Sequence, residues 1–137
     1  MNVKVALHHV SLIVTDLARS AAFYQRLFGL SPIERPSFSI PGMWLGVGDL
    51  QVHLVVYPAG NFRARPVDND DIHFAFRTDD FEAFIAHAKT MGFREDADEA
   101  DPQRIIVKRQ GLAGFAQAYL IDPDRNIIEV NAAPLPN

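Results

Sequence analysis

Two stretches decide the fold: His9-Val10-Ser11-Leu12-Ile13-Val14-Thr15-Asp16-Leu17 and His73-Phe74-Ala75-Phe76-Arg77-Thr78-Asp79-Asp80-Phe81. The second follows the first at a constant offset of 64 residues, from His9 to His73 and from Asp16 to Asp80. Each opens on a histidine, runs through residues suited to a strand, and closes on an aspartate suited to capping a helix.

Working outward from these stretches, residues 3–14 alternate and are rich in Val, Ile and Leu, which predicts a strand. Leu17, Ala21, Tyr24 and Phe28 follow at helical spacing, with Gly29 as the stop. A short strand is expected over 31–37, weakened by Pro32 and Pro36. Two more, 43–48 and 50–56, flank a turn at Gly48-Asp49. Pro58 to Asn69, with two prolines, a glycine and few aliphatics, reads as a connection. The pattern then restarts with a strand at 71–78 and a helix from Asp80 to Met91 that buries Phe81, Phe84, Ile85 and Ala88 and ends at Gly92. Residues 93–110 are harder to read; Arg104 to Lys108 suits a strand or an ordered loop. Strands at 115–121 and 127–131 are joined by Asp122-Pro123-Asp124-Arg125, a type I turn with proline at its favoured second position. The expectation is an α+β fold: two βαβββ modules forming a curved mixed sheet around a metal-binding cleft. It is one domain over 1–137, with module one at about 3–57, a linker at about 58–69 and module two at about 70–133.

Each half offers one ligand-type side chain on its first strand and one on its last: His9 and His53, then His73 and Glu129. Alternation puts His9 on a face with Ser11 and Ile13, His53 with Gln51 and Val55, His73 with Ala75 and Arg77, and Glu129 with Ile127 and Asn131. The opposite faces are apolar and suit packing under helices. A lone strand histidine is usually a hydrogen-bonded structural residue. Four placements in matched repeat positions favour ligation, and three imidazoles with a carboxylate suit a borderline divalent cation such as Zn²⁺, Mn²⁺, Ni²⁺ or Fe²⁺. His8 faces away from His9 by alternation and reads as structural or edge-exposed. Trp44 and Tyr119 are the aromatics best suited to a partly wet pocket wall. Arg77 could clamp a substrate carboxylate or make a surface ion pair. Arg63 and Arg65 read as residues of a solvated loop, and His87 as lying on a solvated helix flank.

Composition narrows the function classes. The chain has 137 residues, 48% of them hydrophobic and 22% charged, with a net charge of −4 and no cysteine. Thiolate ligation and disulfides are excluded. There is no basic footprint for nucleic acid and no apolar run of the ~20 residues a membrane span needs. No signal-peptide pattern opens the sequence, so a cytoplasmic location is expected.

With these residues in place, the chain resembles the vicinal oxygen chelate superfamily of glyoxalases, fosfomycin- and bleomycin-resistance proteins, methylmalonyl-CoA epimerase and extradiol dioxygenases. The resemblance rests on His9-Val10-Ser11-Leu12 with Asp16-Leu17, Phe23-Tyr24, Leu27-Phe28-Gly29-Leu30, His73-Phe74-Ala75-Phe76, Asp122-Pro123-Asp124 and Ile128-Glu129-Val130. It implies one divalent metal ion per chain (Zn, Ni, Mn, Co or Fe), held by His9, His53, His73 and Glu129. It further implies Glu129 and His53 as catalytic groups, Ser11, Trp44, Arg77 and Tyr119 around a small-molecule substrate, and a homodimer. The site could then be built from one chain or shared between two. Two residues depart from the pattern: His53 stands where glyoxalases usually have a carboxylate, leaving Glu129 to serve alone, and Arg125 replaces the glycine of the last turn.

The favoured activity is a glyoxalase-like lyase or isomerase, in which a metal binds two neighbouring substrate oxygens while a proton moves between carbons. The alternatives are an extradiol-type dioxygenase with a two-histidine, one-carboxylate iron site, a fosfomycin-modifying enzyme, and a non-catalytic drug-binding protein.

Overall fold

Asp16 stands where the first strand hands over to the first helix. Its backbone is extended, and its carboxylate accepts the Arg19 N–H at 3.1 Å, satisfying one of the donors that a helix start leaves unpaired. Asp80 accepts the Ala83 N–H at 3.0 Å in the same way. The computed structural model describes residues 3–135 and divides into two units, Met1–Phe62 and Arg63–Asn137. The first holds β1 (His9–Val14), α1 (Leu17–Phe28), β2 (Ser31–Ile33), β3 (Gly42–Val47) and β4 (Leu50–Val56). The second holds β5 (His73–Arg77), α2 (Phe81–Thr90), β6 (Ile106–Lys108), β7 (Gln117–Ile121) and β8 (Ile127–Asn131). This is the α+β fold of two βαβββ modules that the repeat predicted.

Each unit builds one four-stranded mixed sheet, ordered β1-β4-β3-β2 in the first and β5-β8-β7-β6 in the second. In both, the opening strand lies parallel to the closing strand and the remaining pairs are antiparallel. A parallel pair needs a crossover connection, which the helix supplies. Helix α1 buries Ser20, Ala21, Tyr24 and Leu27 and lies against β3 and β4. It stops at Gly29, whose left-handed φ of 67° lets its N–H reach Gln25 O at 3.0 Å. The core of this unit includes Val14, Leu45, Val52 and Leu54. In the second unit Phe81, Ile85 and Ala88 of α2 are buried, as are Leu120, Ile128 and Val130 of the sheet.

The sequence reading needs correction in three places and is settled in a fourth, 104–108. Residues 3–8 are not strand: Val3, Val5 and Leu7 are 69%, 92% and 67% exposed. They alternate, but β4 begins at Leu50, directly after the turn, and His9 pairs with Gln51, so earlier residues run past the end of their partner. The strand expected over 31–37 closes at Ile33, before Pro36, which has no N–H to give a ladder. The stretch 104–108 resolves into a bridge between Arg94 and Arg104 followed by β6. The connection 58–69 is not solvated throughout. Val67 is buried with Tyr119, Ile121 and Ile127, and Arg63 donates to Asp71 Oδ2 at 2.9 Å and to Arg125 O at 2.8 Å.

Arg125, the residue in the glycine's place, has φ 65°. The turn holds it there: its N–H donates to Asp122 O at 3.0 Å, while Asp122 Oδ1 accepts the N–H groups of Asp124 and Asn126, both at 2.9 Å. Its guanidinium donates to Arg65 O at 3.2 Å, so the side chain ties the connection to the last turn. Left-handed backbone costs an L residue about 1–2 kcal/mol. Arg125→Ala loses the tie and keeps that strain; Arg125→Gly loses the tie and relieves the strain, less the extra chain entropy of glycine. Chemical denaturation should therefore find the glycine variant more stable than the alanine variant by about 0.5–1 kcal/mol. An alanine variant equal to or above it would contradict this account of the turn.

Candidate functional site

Strand register places the four sequence-predicted ligands in matching pairs. In the first unit Ser11 of β1 and Trp44 of β3 flank His53 of β4. In the second, Ala75 of β5 and Tyr119 of β7 flank Glu129 of β8. His9 and His73 each stand two residues before the flanking residue on the opening strand. The correspondence is thus His9 with His73, His53 with Glu129, and Trp44 with Tyr119. Sequence reading found the first two pairs and missed the third. The offset of 64 lapses after the helix, where the second unit inserts the loop and bridge before β6.

In the first unit the His9 and His53 rings stack at 3.9 Å between centroids, and Trp44 lies on His53 at 4.1 Å and an interplanar angle of 3°. His53 is buried, whereas His9 is exposed. The Gln51 side-chain oxygen can only accept, so the 2.8 Å contact to His53 Nε2 fixes the proton on Nε2 and leaves Nδ1 as a lone pair. The basicity of His53 is lowered, first by burial and then by His9, His8 and Arg35, so its neutral form is favoured. His8 does not turn away as alternation suggested. It lies outside β1, and its Nδ1 is 2.8 Å from His9 Nδ1, a contact that one ring donates and the other accepts. A cavity of about 490 Å³ opens on this group, bordered by His8, His9, His53, Trp44, Arg35 and Phe38. That volume lies in the ordinary range for a small-molecule site. Ser11, exposed on β1, does not border it.

In the second unit His73 Nδ1 is 2.7 Å from Asp71 O. A carbonyl only accepts, so Nδ1 carries the proton in that contact and Nε2 is turned away from it. That nitrogen is 3.4 Å from Glu129 Oε1. Two acceptors face one another there, and the arrangement calls for a cation, whether a proton or a metal ion. Glu129 is buried, yet both oxygens have donors: Asn131 Nδ2 to Oε2 at 2.5 Å and Gln117 Nε2 to Oε1 at 3.4 Å. Tyr119 meets His73 edge-on at 5.5 Å between centroids. Burial, and then a hydrogen bond to Glu129, push its hydroxyl up to about 12. Arg77 shares this strand face, but its guanidinium donates to Pro134 O at 2.7 Å.

These donors fit the ion that the resemblance implies. Two imidazoles, His53 and His73, have one nitrogen fixed by a hydrogen bond and the other free, and the carboxylate is buried and oriented by amides. Both are features of metal-ligating side chains. Among the described residues no three His, Cys, Asp or Glu side chains gather into a metal-holding group; the donors come as one pair in each unit. Gln51 and Asn131, which orient them, were within reach of the sequence, since alternation puts each on its partner's face. Sequence reading ranks Phe38 as a pocket aromatic behind Trp44 and Tyr119; Arg35 was not identified, because its loop carries no periodic pattern. No helix among the described residues is long and apolar enough to cross a membrane.

A sequence profile of the Glyoxalase/Bleomycin resistance protein/Dioxygenase superfamily matches residues 6–130. Among curated relatives, the chain is 28% identical to Glyoxylase I 4 of Arabidopsis thaliana, over 96% of this chain and 73% of that one. It is also 28% identical to the glutathione transferase FosA of Serratia marcescens, over 95% and 82%. Among solved structures, the fosfomycin resistance protein FosX of Listeria monocytogenes shares the fold at a TM-score of 0.72 and 18% identity, over 97% of each chain.

The Tyr119 phenol gives a direct check on this geometry. Its folded pKa is raised above the usual 10 to about 12. Its contribution to stability is therefore present in full below about pH 10 and is lost as pH rises towards 12. The difference in phenolate absorbance between the wild type and Tyr119→Phe should show a phenol titrating near pH 12, and the variant's alkaline unfolding profile should be flatter over pH 10–12. A Tyr119 that ionises near pH 10 would contradict its burial beside Glu129.

Proposed function

The chain belongs to the Glyoxalase/Bleomycin resistance protein/Dioxygenase superfamily, and from that premise we propose that it is a metal-dependent lyase or isomerase of the glyoxalase type. His9, His53, His73 and Glu129 would hold one divalent ion per chain. The observation that carries this reading is the His73–Glu129 pair: a free imidazole nitrogen 3.4 Å from a buried carboxylate. The ion, when bound, supplies Lewis acidity towards two neighbouring oxygens of a small substrate.

The chain's own groups do the remaining work. Glu129 takes a proton from one substrate carbon and returns it to the next, with Asn131 holding its Oε2 and Gln117 meeting Oε1 only at 3.4 Å. Tyr119, kept protonated through neutral pH, donates to Glu129 or to a substrate oxygen as charge moves. His53, favoured in its neutral form, offers its one free lone pair, on Nδ1, to the ion or, if the other three side chains hold the ion alone, to a substrate proton. Trp44 walls the cavity in which the substrate sits. Ser11, at the exposed flank of His53, and Arg77 complete the candidate substrate contacts. We place the enzyme in the cytoplasm as a homodimer, since β1, β2, β5 and β6 each stand at the edge of a sheet and edges favour pairing.

The likeness to FosA favours a second reading, fosfomycin modification. The two separate on substrate: protein loaded in turn with Zn²⁺, Ni²⁺, Mn²⁺, Co²⁺ and Fe²⁺ is assayed with methylglyoxal plus glutathione, and with fosfomycin plus glutathione or water. We expect turnover of the first. Glu129→Gln, nearly isosteric but without charge or basicity, should lower turnover by about 10²-fold or more. Circular dichroism should find the fold retained, at a lower melting temperature because the new NH2 must face a donor. Wild-type turnover in that variant would remove Glu129 from the mechanism. Turnover of fosfomycin alone would replace the first reading with the second.

A further inference from the structure

Arg35 has no role in the reading so far, yet its guanidinium is closely held by the loop around it. Its Nη2 donates to Ile40 O at 2.8 Å. Its guanidinium carbon stands 4.9 Å from the centroid of the Phe38 ring. Gly42 makes room for it: a Cβ on that residue would come within 2.9 Å of Nη2 and 3.1 Å of the guanidinium carbon, besides striking Leu54 O. The group is therefore held from three sides. Its Nε, however, is buried and has no hydrogen-bond partner, and among the described residues no carboxylate pairs with it. A buried donor left unmade costs free energy, and a partly desolvated cation without a counter-charge costs more. The partner this arrangement lacks is an acceptor with negative charge.

The surroundings specify more. Arg35 borders the cavity of about 490 Å³ together with His8, His9 and His53, and no carboxylate lines it. Apart from Ser39, the remaining wall is apolar and aromatic, from Trp44, Phe38, Ile40 and Val55, with Phe38 and Ile40 about half exposed. A guanidinium presents donors in a planar fork that matches a carboxylate or phosphonate. We propose that Arg35 is the anion clamp of this cavity, and that the substrate is a small organic oxyanion, carboxylate or phosphonate, whose apolar body packs against the wall that Trp44 and Phe38 form together. This deepens the enzymatic reading and rests on it for the word substrate; the binding itself does not need turnover.

The chain has one tryptophan, Trp44, so its fluorescence reports on this wall alone. The test titrates full-length protein in EDTA with benzoate, phenylphosphonate, benzamide and benzyl alcohol, and follows Trp44 emission. EDTA removes direct coordination of the probe by a metal. Benzoate and phenylphosphonate should bind saturably, and the neutral benzamide and benzyl alcohol about tenfold or more weaker, the scale of a lost hydrogen bond to a charged group. Arg35→Gln should weaken the two anions by a similar factor and leave the neutral probes unchanged, with Arg35→Lys between. The tighter of the two anions tells which oxyanion the fork prefers. Equal binding of benzoate and benzamide by the wild type overturns the clamp, as does binding of neither, or undiminished benzoate binding by Arg35→Gln. The wild-type comparison decides even if a variant fails to fold. Because no turnover is read, the result stands apart from that of Glu129→Gln.

Discussion

The parallel register of the opening and closing strands in each unit is the constraint on which the candidate site depends. Pairing of Ser11 with His53 and of Ala75 with Glu129 sets His9 and His73 one diagonal step from the residues they are meant to meet. That step brings the His9 and His53 rings to 3.9 Å and His73 to 3.4 Å from Glu129. A slip of one residue on either closing strand would turn its donor to the helix side. The slip is costly, because the alternate positions Val52 and Leu54, and Ile128 and Val130, are buried, and exposing them forfeits roughly 1.5–3 kcal/mol each. The apolar face thus fixes the chemistry of the polar face.

The helices serve the same constraint. A parallel neighbour cannot be reached by a hairpin, so the chain must leave the sheet, cross it and return. Asp16 and Asp80 start that crossing within two or three residues of the opening strand, and Gly29 ends the first one cleanly. The caps and the glycine are local features, which is why they were legible in the sequence. So were the strand faces and the pairs His9–His53 and His73–Glu129, since period-2 alternation needs no knowledge of partners. What could not be read depended on partners. Val3, Val5 and Leu7 carry the strand pattern but have no strand beside them. Arg35 sits in an aperiodic loop and acquires its meaning from Ile40, Phe38 and Gly42. Val67 looks like a linker residue until Tyr119, Ile121 and Ile127 close on it. Arg125 sits at a positive φ that its residue type argues against, and it is held there by Asp122 and by the backbone it ties down.

The two units share a register and differ in chemistry at each matched position. Trp44 lies flat on His53 and offers the imidazole no polar contact. Tyr119, its counterpart, turns edge-on to His73 and gives its hydroxyl to Glu129. Flat stacking covers the imidazole face; an edge-on phenol adds a proton donor. The orienting amides differ as well, Gln51 two residues before its ligand and Asn131 two residues after.

The distribution of charge follows the same division. Arg35 and three imidazoles belong to the first unit's cavity, which has no carboxylate in its wall. In the second unit Glu129 takes hydrogen bonds from the neutral amides of Asn131 and Gln117 and the phenol of Tyr119, and His73 Nε2 stands 3.4 Å from its Oε1. A guanidinium paired to a carboxylate stabilises its charged form and makes it a poorer proton acceptor, whereas a neutral donor orients it at much smaller cost to its basicity. Among the described residues no guanidinium pairs with Glu129 and no carboxylate lines the cavity that Arg35 borders, so neither charge meets a fixed opposite charge within its own unit.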